Sequence, residues 1–153
     1  MKIKIVLYNV LNGFCNDNPP FKIENNRVNK FLEIIKEQDP DILILTEAYF
    51  WSFAKQTGNF PKFLEDMYIL KVPAEYNFRW APVVLSKFPI ECYDASLSKY
   101  YLNFLRSAIK IGSQILNIDV FHPHPTKRDS EKVTYLKENV KFREKNYVLA
   151  GYF

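Results

Sequence analysis

The sequence predicts an α/β or α+β layered fold, and three observations carry that prediction. Short apolar runs with strand character recur along the chain. Two stretches of helical period interrupt them, and the turn residues cluster between these segments. The run Asp41-Ile42-Leu43-Ile44-Leu45-Thr46-Glu47 is the most telling, because a continuous aliphatic strand reads as covered on both faces. It ends in a carboxylate. Such a group is either a solvated strand tip or an interior charge that needs a cation, since an unpaired buried charge is costly.

Composition sets the frame for those elements. At 153 residues with 48% hydrophobic and 16% aromatic side chains, the chain is globular, is one domain by default, and can bury a sizeable core. Formal net charge is +4, with the 21 basic residues interspersed among 17 acidic ones. That balance is mildly compatible with a phosphate-bearing partner and far from a polybasic nucleic-acid signature. Cys15 and Cys92 are isolated, without C-x-x-C spacing, and suggest neither a zinc site nor a disulfide framework. The Lys-interrupted start is no signal peptide and no apolar run reaches membrane-spanning length, so a cytoplasmic protein is expected.

Taken in order, Ile3, Ile5 and Leu7 alternate with Lys4, Val6 and Tyr8 and predict a strand ending near Asn9. Turn residues fill Asn12 to Pro20. Val28, Phe31, Leu32 and Ile35 at i, i+3, i+4 and i+7 predict a helix from about Asn26, stopped by Asp39-Pro40. The strand ending in Glu47 follows, parallel to the first. Tyr49 to Phe53 is irregular or a short helix, and Phe60 to Asp66 is a second short helical candidate. Strands are predicted around Tyr68 to Val72, Pro82 to Ser86 and Ile90 to Tyr93, the last two turned back to back at Lys87-Phe88-Pro89. Ser107 to Ile111 and Ile115 to Phe121 form a hairpin around Gly112-Ser113. A helix starts near Ser130 with Val133, Leu136 and Val140 on one face, and Tyr147 to Ala150 is a last strand.

Two parallel strands in register would project Asn9 and Glu47 from one edge, where open α/β sheets hold ligands. A carboxylate and an amide oxygen are hard donors suited to Mg²⁺, which needs few protein ligands and keeps its waters for phosphate. The plain alternative is a turn-capping Asn9 and a solvated Glu47. His122 ends an apolar strand and could point to the same edge, whereas His124 reads as an exposed loop residue. Arg106 is either a phosphate contact or simply a surface ion-pair partner.

These segments resemble the endonuclease/exonuclease/phosphatase superfamily. "KIKIVLYNVLNG" from Lys2 to Gly13 looks like its opening strand, and "DPDILILTE" from Asp39 to Glu47 is similar to its metal-binding motif. Arg27, the "VVLSKFPI" segment from Val83 to Ile90, and the strand pair ending in His122 match in order. The resemblance implies a four-layer α-β-β-α sandwich, incomplete over residues 1–153 and cut before its second sheet is finished. It also implies Mg²⁺- or Mn²⁺-assisted hydrolysis of a phosphoester, with nucleic acid among the candidate substrates. Asn9 and Glu47 would hold the metal, His122 would be catalytic and Arg106 would bind phosphate. Two departures stand out: Val120 and Pro123 flank His122 where the family has Asn and an apolar residue. Tyr152 stands where it has the Asp of Gly-Asp-x-Asn. The resemblance thus leads to an inactive chain that self-associates through an exposed sheet. The alternatives are a non-catalytic phosphate- or nucleotide-binding module and an unrelated α/β interaction protein.

Overall fold

The computed structural model describes residues 2–15, 22–48, 69–71, 82–94, 103–123, 126–140 and 145–151. The short helical candidates at 49–53 and 60–66, together with His124 and Tyr152, lie outside the described residues. The first strand, β1 (Ile5–Asn9), leads through a short 3-10 turn at Asn12–Phe14 to helix α1 (Asn25–Gln38). Helix α1 ends on Asp39, which adopts a left-handed conformation (φ 40°) and donates its N–H to the Ile35 carbonyl at 2.8 Å. Asp tolerates that region better than most residues. Pro40 then disfavours any return to helix.

Strand β2 (Ile42–Thr46) is buried at every position, as its unbroken aliphatic run predicts, and it pairs parallel with β1 so that Asn9 faces Thr46. Next come β3 (Ile69–Lys71), β4 (Val83–Ser86), β5 (Ile90–Asp94), β6 (Phe104–Ile111), β7 (Gln114–Phe121), helix α2 (Asp129–Asn139) and β8 (Tyr147–Gly151). Among the described residues these form two four-stranded sheets, ordered β1-β2-β4-β3 and β5-β6-β7-β8. Strands β6 and β7 are the expected hairpin, with Gly112 at φ 60° in its two-residue loop. Glycine meets that backbone requirement without steric cost.

Layering follows from which face each side chain takes. Ile42, Ile44 and Val84 of the first sheet pack against Leu105, Ile109, Ile118 and Val120 of the second. The opposite face of the first sheet, with Leu43, Leu45, Val83 and Leu85, is covered by Phe31 and Ile35 of α1. The outer face of the second sheet, with Phe104 and Phe121, is covered by Tyr135 and Leu136 of α2 and by Val140. The order α1, sheet, sheet, α2 is that of a partial α-β-β-α sandwich.

Two expectations need correction. Strands β4 and β5 do not form a hairpin at Lys87-Phe88-Pro89; they belong to different sheets. The Ser86 hydroxyl accepts the Phe88 N–H at 3.0 Å, and Phe88 packs into the layer between the sheets. Pro89 has no N–H to continue a ladder, while its carbonyl already receives Lys110 N–H of the second sheet at 2.9 Å. The segment is a crossover. On α2, Val133 is 48% exposed and does not share the packed face with Leu136. Tyr135 takes that place, stacked on Phe121 with ring centroids 5.5 Å apart. An aromatic ring covers more of the Phe104–Phe121 surface than a valine could.

Candidate functional site at the strand ends

The parallel pairing of β1 and β2 brings the last residue of β1 beside the end of β2. Glu47 leaves β2 in a left-handed conformation (φ 54°), unusual for a long side chain. Such strain is typical of places where the surroundings over-determine the backbone. Glu47 is only 8% exposed, so it is not a solvated strand tip. Its Oε1 accepts the Asn9 Nδ2–H at 2.9 Å and meets His122 Nε2 at 3.2 Å. An ionised carboxylate only accepts hydrogen bonds, so the second contact calls for a proton on Nε2. Asn9 is itself oriented from the backbone, since its Oδ1 accepts the Leu11 N–H at 2.8 Å.

The loop after β1 is held by Arg27 at the start of α1. Its guanidinium donates to the carbonyls of Val10 (2.8 Å), Leu11 (2.9 Å) and Cys15 (3.3 Å), and stands 6.0 Å from the Phe14 ring centre. A planar, multi-donor fork suits such convergent carbonyls better than an ammonium would. Cys15 is buried among these groups as a free thiol, its pKa raised by burial.

His122 enters from the second sheet, one residue past β7. Side chains alternate along that strand, so Phe121 faces α2 while Val120 faces the first sheet. His122 falls on the Val120 side and reaches Glu47 across the gap between the sheets. Three of the four predicted site residues, Asn9, Glu47 and His122, thus meet at one edge.

Arg106 is not brought there. It lies on the α2 side of the second sheet, donating Nε and Nη2 to the two carboxylate oxygens of Asp119 at 2.8 and 2.7 Å. Nη2 also donates to the Asn139 carbonyl at the end of α2, at 3.0 Å. The Tyr147 hydroxyl donates to Asp119 Oδ2 at 2.8 Å. The side chain of Asp119 is fully buried, and the hydrogen bond to it keeps the guanidinium protonated more firmly than usual. Burial nearby pushes the Tyr135 phenol up to about 12. Arg106 is therefore ion-paired, and its partner is a buried carboxylate and not a surface one.

Sequence reasoning did not find Asp119, Tyr147 or Asn103 as polar anchors. Asp119 carried a faint signal, a lone acid at the strand position that alternation puts on the same face as Phe121. Asn103 carried none. Among the described residues, no three or more His, Cys, Asp or Glu side chains cluster in a way that would hold a metal ion. Any cation at this edge would rely on the Glu47 carboxylate, neighbouring amide oxygen and water.

A sequence model described as the Endonuclease/Exonuclease/phosphatase family matches residues 6–147. No curated protein sequence matches the chain. Among solved structures, it is similar to D. rerio TDP2 complexed with single-strand DNA product, at 12% identity and TM-score 0.65, covering 96% of this chain and 58% of that one. It is also similar to the 3′ phosphatase NExo from Neisseria bound to a product DNA hairpin, at 16% identity and TM-score 0.57, covering 99% and 58%. A β-hairpin deletion mutant of beta toxin from Staphylococcus aureus matches at 15% identity and TM-score 0.58, covering 98% and 66%. At these identities the likeness is one of fold. The chain spans 58% to 66% of the length of these three structures.

Proposed function

The chain belongs to the Endonuclease/Exonuclease/phosphatase family, and we propose that its Asn9–Glu47–His122 edge is a site for Mg²⁺-assisted phosphoester hydrolysis, with Mn²⁺ able to substitute. One observation carries this reading: the buried Glu47 carboxylate sits at the mouth of two parallel strands, contacted by Asn9 from one sheet and His122 from the other. The donor set fits a hard cation. Glu47 supplies a carboxylate, and Mg²⁺ needs only one or two such ligands because it keeps several waters. Asn9 orients Glu47 through its amide N–H, and its Oδ1 would reach a cation only while shared with the Leu11 N–H. A cation bound there would neutralise charge developing on a phosphate. His122, whose Nε2 meets the Glu47 carboxylate at 3.2 Å, is the catalytic candidate beside the phosphate in this reading.

We read residues 1–153 as a single, incomplete domain of this family, with a DNA phosphoester the first substrate to try, because TDP2 and NExo are the neighbours solved with DNA. By the sequence resemblance, Tyr152 falls where the family has its catalytic Asp, and a phenol with a pKa of about 10 is no carboxylate at neutral pH. The expected behaviour is metal and phosphate binding with little turnover. Titration of the purified protein with Mn²⁺, followed by the loss of the free-ion electron paramagnetic resonance signal, tests the site. Glu47→Ala abolishes binding in this reading, and Asn9→Ala, by loosening the orientation of Glu47, weakens it about 10- to 100-fold. Unchanged Mn²⁺ affinity in Glu47→Ala would overturn the assignment.

Self-association is part of the same reading. Among the described residues β1 pairs with β2 alone, and Leu7 on it is 42% exposed. An unblocked strand edge with exposed apolar side chains is a template for pairing with another chain. Sedimentation velocity should show a concentration-dependent increase in mass, reduced by Leu7→Lys; a monomer across the range would count against it.

A further inference from the structure

We infer that Asn103 is a positioning residue that holds His122 in place against Glu47, an inference that rests on the site reading above. Asn103 precedes β6 and stands opposite His122, one step beyond the last cross-strand pair Phe104–Phe121. It bonds both backbone polar groups of His122. Its carbonyl accepts the His122 N–H at 3.1 Å, and its side-chain Nδ2 donates to the His122 carbonyl at 2.9 Å. The ladder between β6 and β7 is thereby carried one residue past the regular strands, to the residue that must reach the edge.

Three further features fit a role in positioning. Asn103 is 1% exposed, so its amide is a buried polar group whose donor would be expensive to leave without the His122 carbonyl. Its backbone is left-handed (φ 47°), a conformation that Asn accepts more readily than most side chains. Finally, Pro123 is buried and follows His122 directly, which restricts the His122 backbone to extended conformations. With both backbone polar groups of His122 held by Asn103 and its backbone restricted by Pro123, the contact with Glu47 acts on the side-chain torsions of His122.

Asn103→Gly keeps the backbone conformation and the carbonyl acceptor but deletes the amide donor. Asn103→Asp keeps the shape and replaces the donor with an acceptor. The chain has only two histidines, so the ring signals of His122 are assigned by comparison with His124→Gln. Asn9 Nδ2 and His122 Nε2 contact the same Glu47 oxygen, and the intact chain should give a nuclear Overhauser contact between the Asn9 amide protons and the His122 ring. The expected result is loss of that contact in both Asn103 variants while the rest of the spectrum remains folded. A Leu116→Ala control, destabilised in the same hairpin, should retain it. The inference is overturned by persistence of the contact in Asn103→Gly, by its absence in the natural sequence, or by unfolding of both Asn103 variants, which would make the residue one of folding alone. Broadening of the His122 ring by Mn²⁺ alone reports separately on the metal reading. Its absence in the natural sequence would remove the metal while leaving the role of Asn103 to the Overhauser contact.

Discussion

Gly151→Ala should be among the most destabilising single substitutions in the chain, costing about 3 kcal/mol or more. Strand β8 runs parallel to β7 with Gly151 opposite Phe121, and Gly151 has φ 152°. A Cβ built there would stand 1.8 Å from the Phe121 carbonyl oxygen and 2.8 Å from its carbonyl carbon. Both are backbone atoms of a strand buried between β6 and β8, so no side-chain rotation can relieve the clash. Either β8 withdraws from β7, losing ladder hydrogen bonds, or β7 shifts and moves His122, one residue beyond Phe121. Urea denaturation followed by tryptophan or tyrosine emission should show a midpoint shifted sharply down. A variant as stable as the natural sequence would mean that β8 does not approach β7 this closely. Gly112→Ala is the natural comparison, because a Cβ added at Gly112 meets nothing within 4 Å and only the backbone preference at φ 60° is violated. Its cost should be confined to about 1 kcal/mol.

Arg106→Met should cost about 3–5 kcal/mol, the range for removing one partner of a buried ion pair. The loss is not mainly the attraction of the pair. It is the carboxylate of Asp119 left fully buried, with the Tyr147 hydroxyl still donating to it but no cation beside it. Arg106 is one-third exposed, so water can enter beside a shorter side chain and bring the effect toward the lower end. The double variant Arg106→Met/Asp119→Leu removes both charges and should recover a large part of the loss. A double-variant cycle in urea measures the coupling. Additive effects would show that the two side chains do not act as a pair. The same variants separate the two sequence readings of Arg106. A phosphate contact predicts weakened phosphate binding with little change in stability, and an ion pair predicts the reverse.

Much of the fold is legible in the sequence because it is written in local periodicity. The unbroken Ile42 to Leu45 run announces a strand covered on both sides, and the spacing of Val28, Phe31, Leu32 and Ile35 announces the helix that covers one of them. Gly112 marks the hairpin. The crossover at Lys87 to Pro89 is hidden, since two short strands joined by a tight turn look the same in sequence whether they pair with each other or diverge into separate sheets. The choice is made by partners far away in the chain: β2 takes β4, and β6 takes β5. The packed face of α2 escapes a sequence reading at Val133 for a related reason. A short helix presents several apolar residues, and the large aromatic surface of Phe104 and Phe121 selects the one that fits.

The candidate site divides along the same line. From sequence alone, Asn9 and Glu47 could be placed at the ends of neighbouring parallel strands, because strand boundaries and a short helical crossover determine which residues end up at that edge. His122 could be placed at the end of its own strand. What sequence could not decide was whether the second sheet delivers that histidine to the first, or which face receives Arg106. Those outcomes depend on how two sheets stack and on the parity of each side chain across the shared core. There the partners are 75 residues apart for His122 and Glu47 and held by residues such as Asn103 and Asp119 whose roles exist only once the layers are packed.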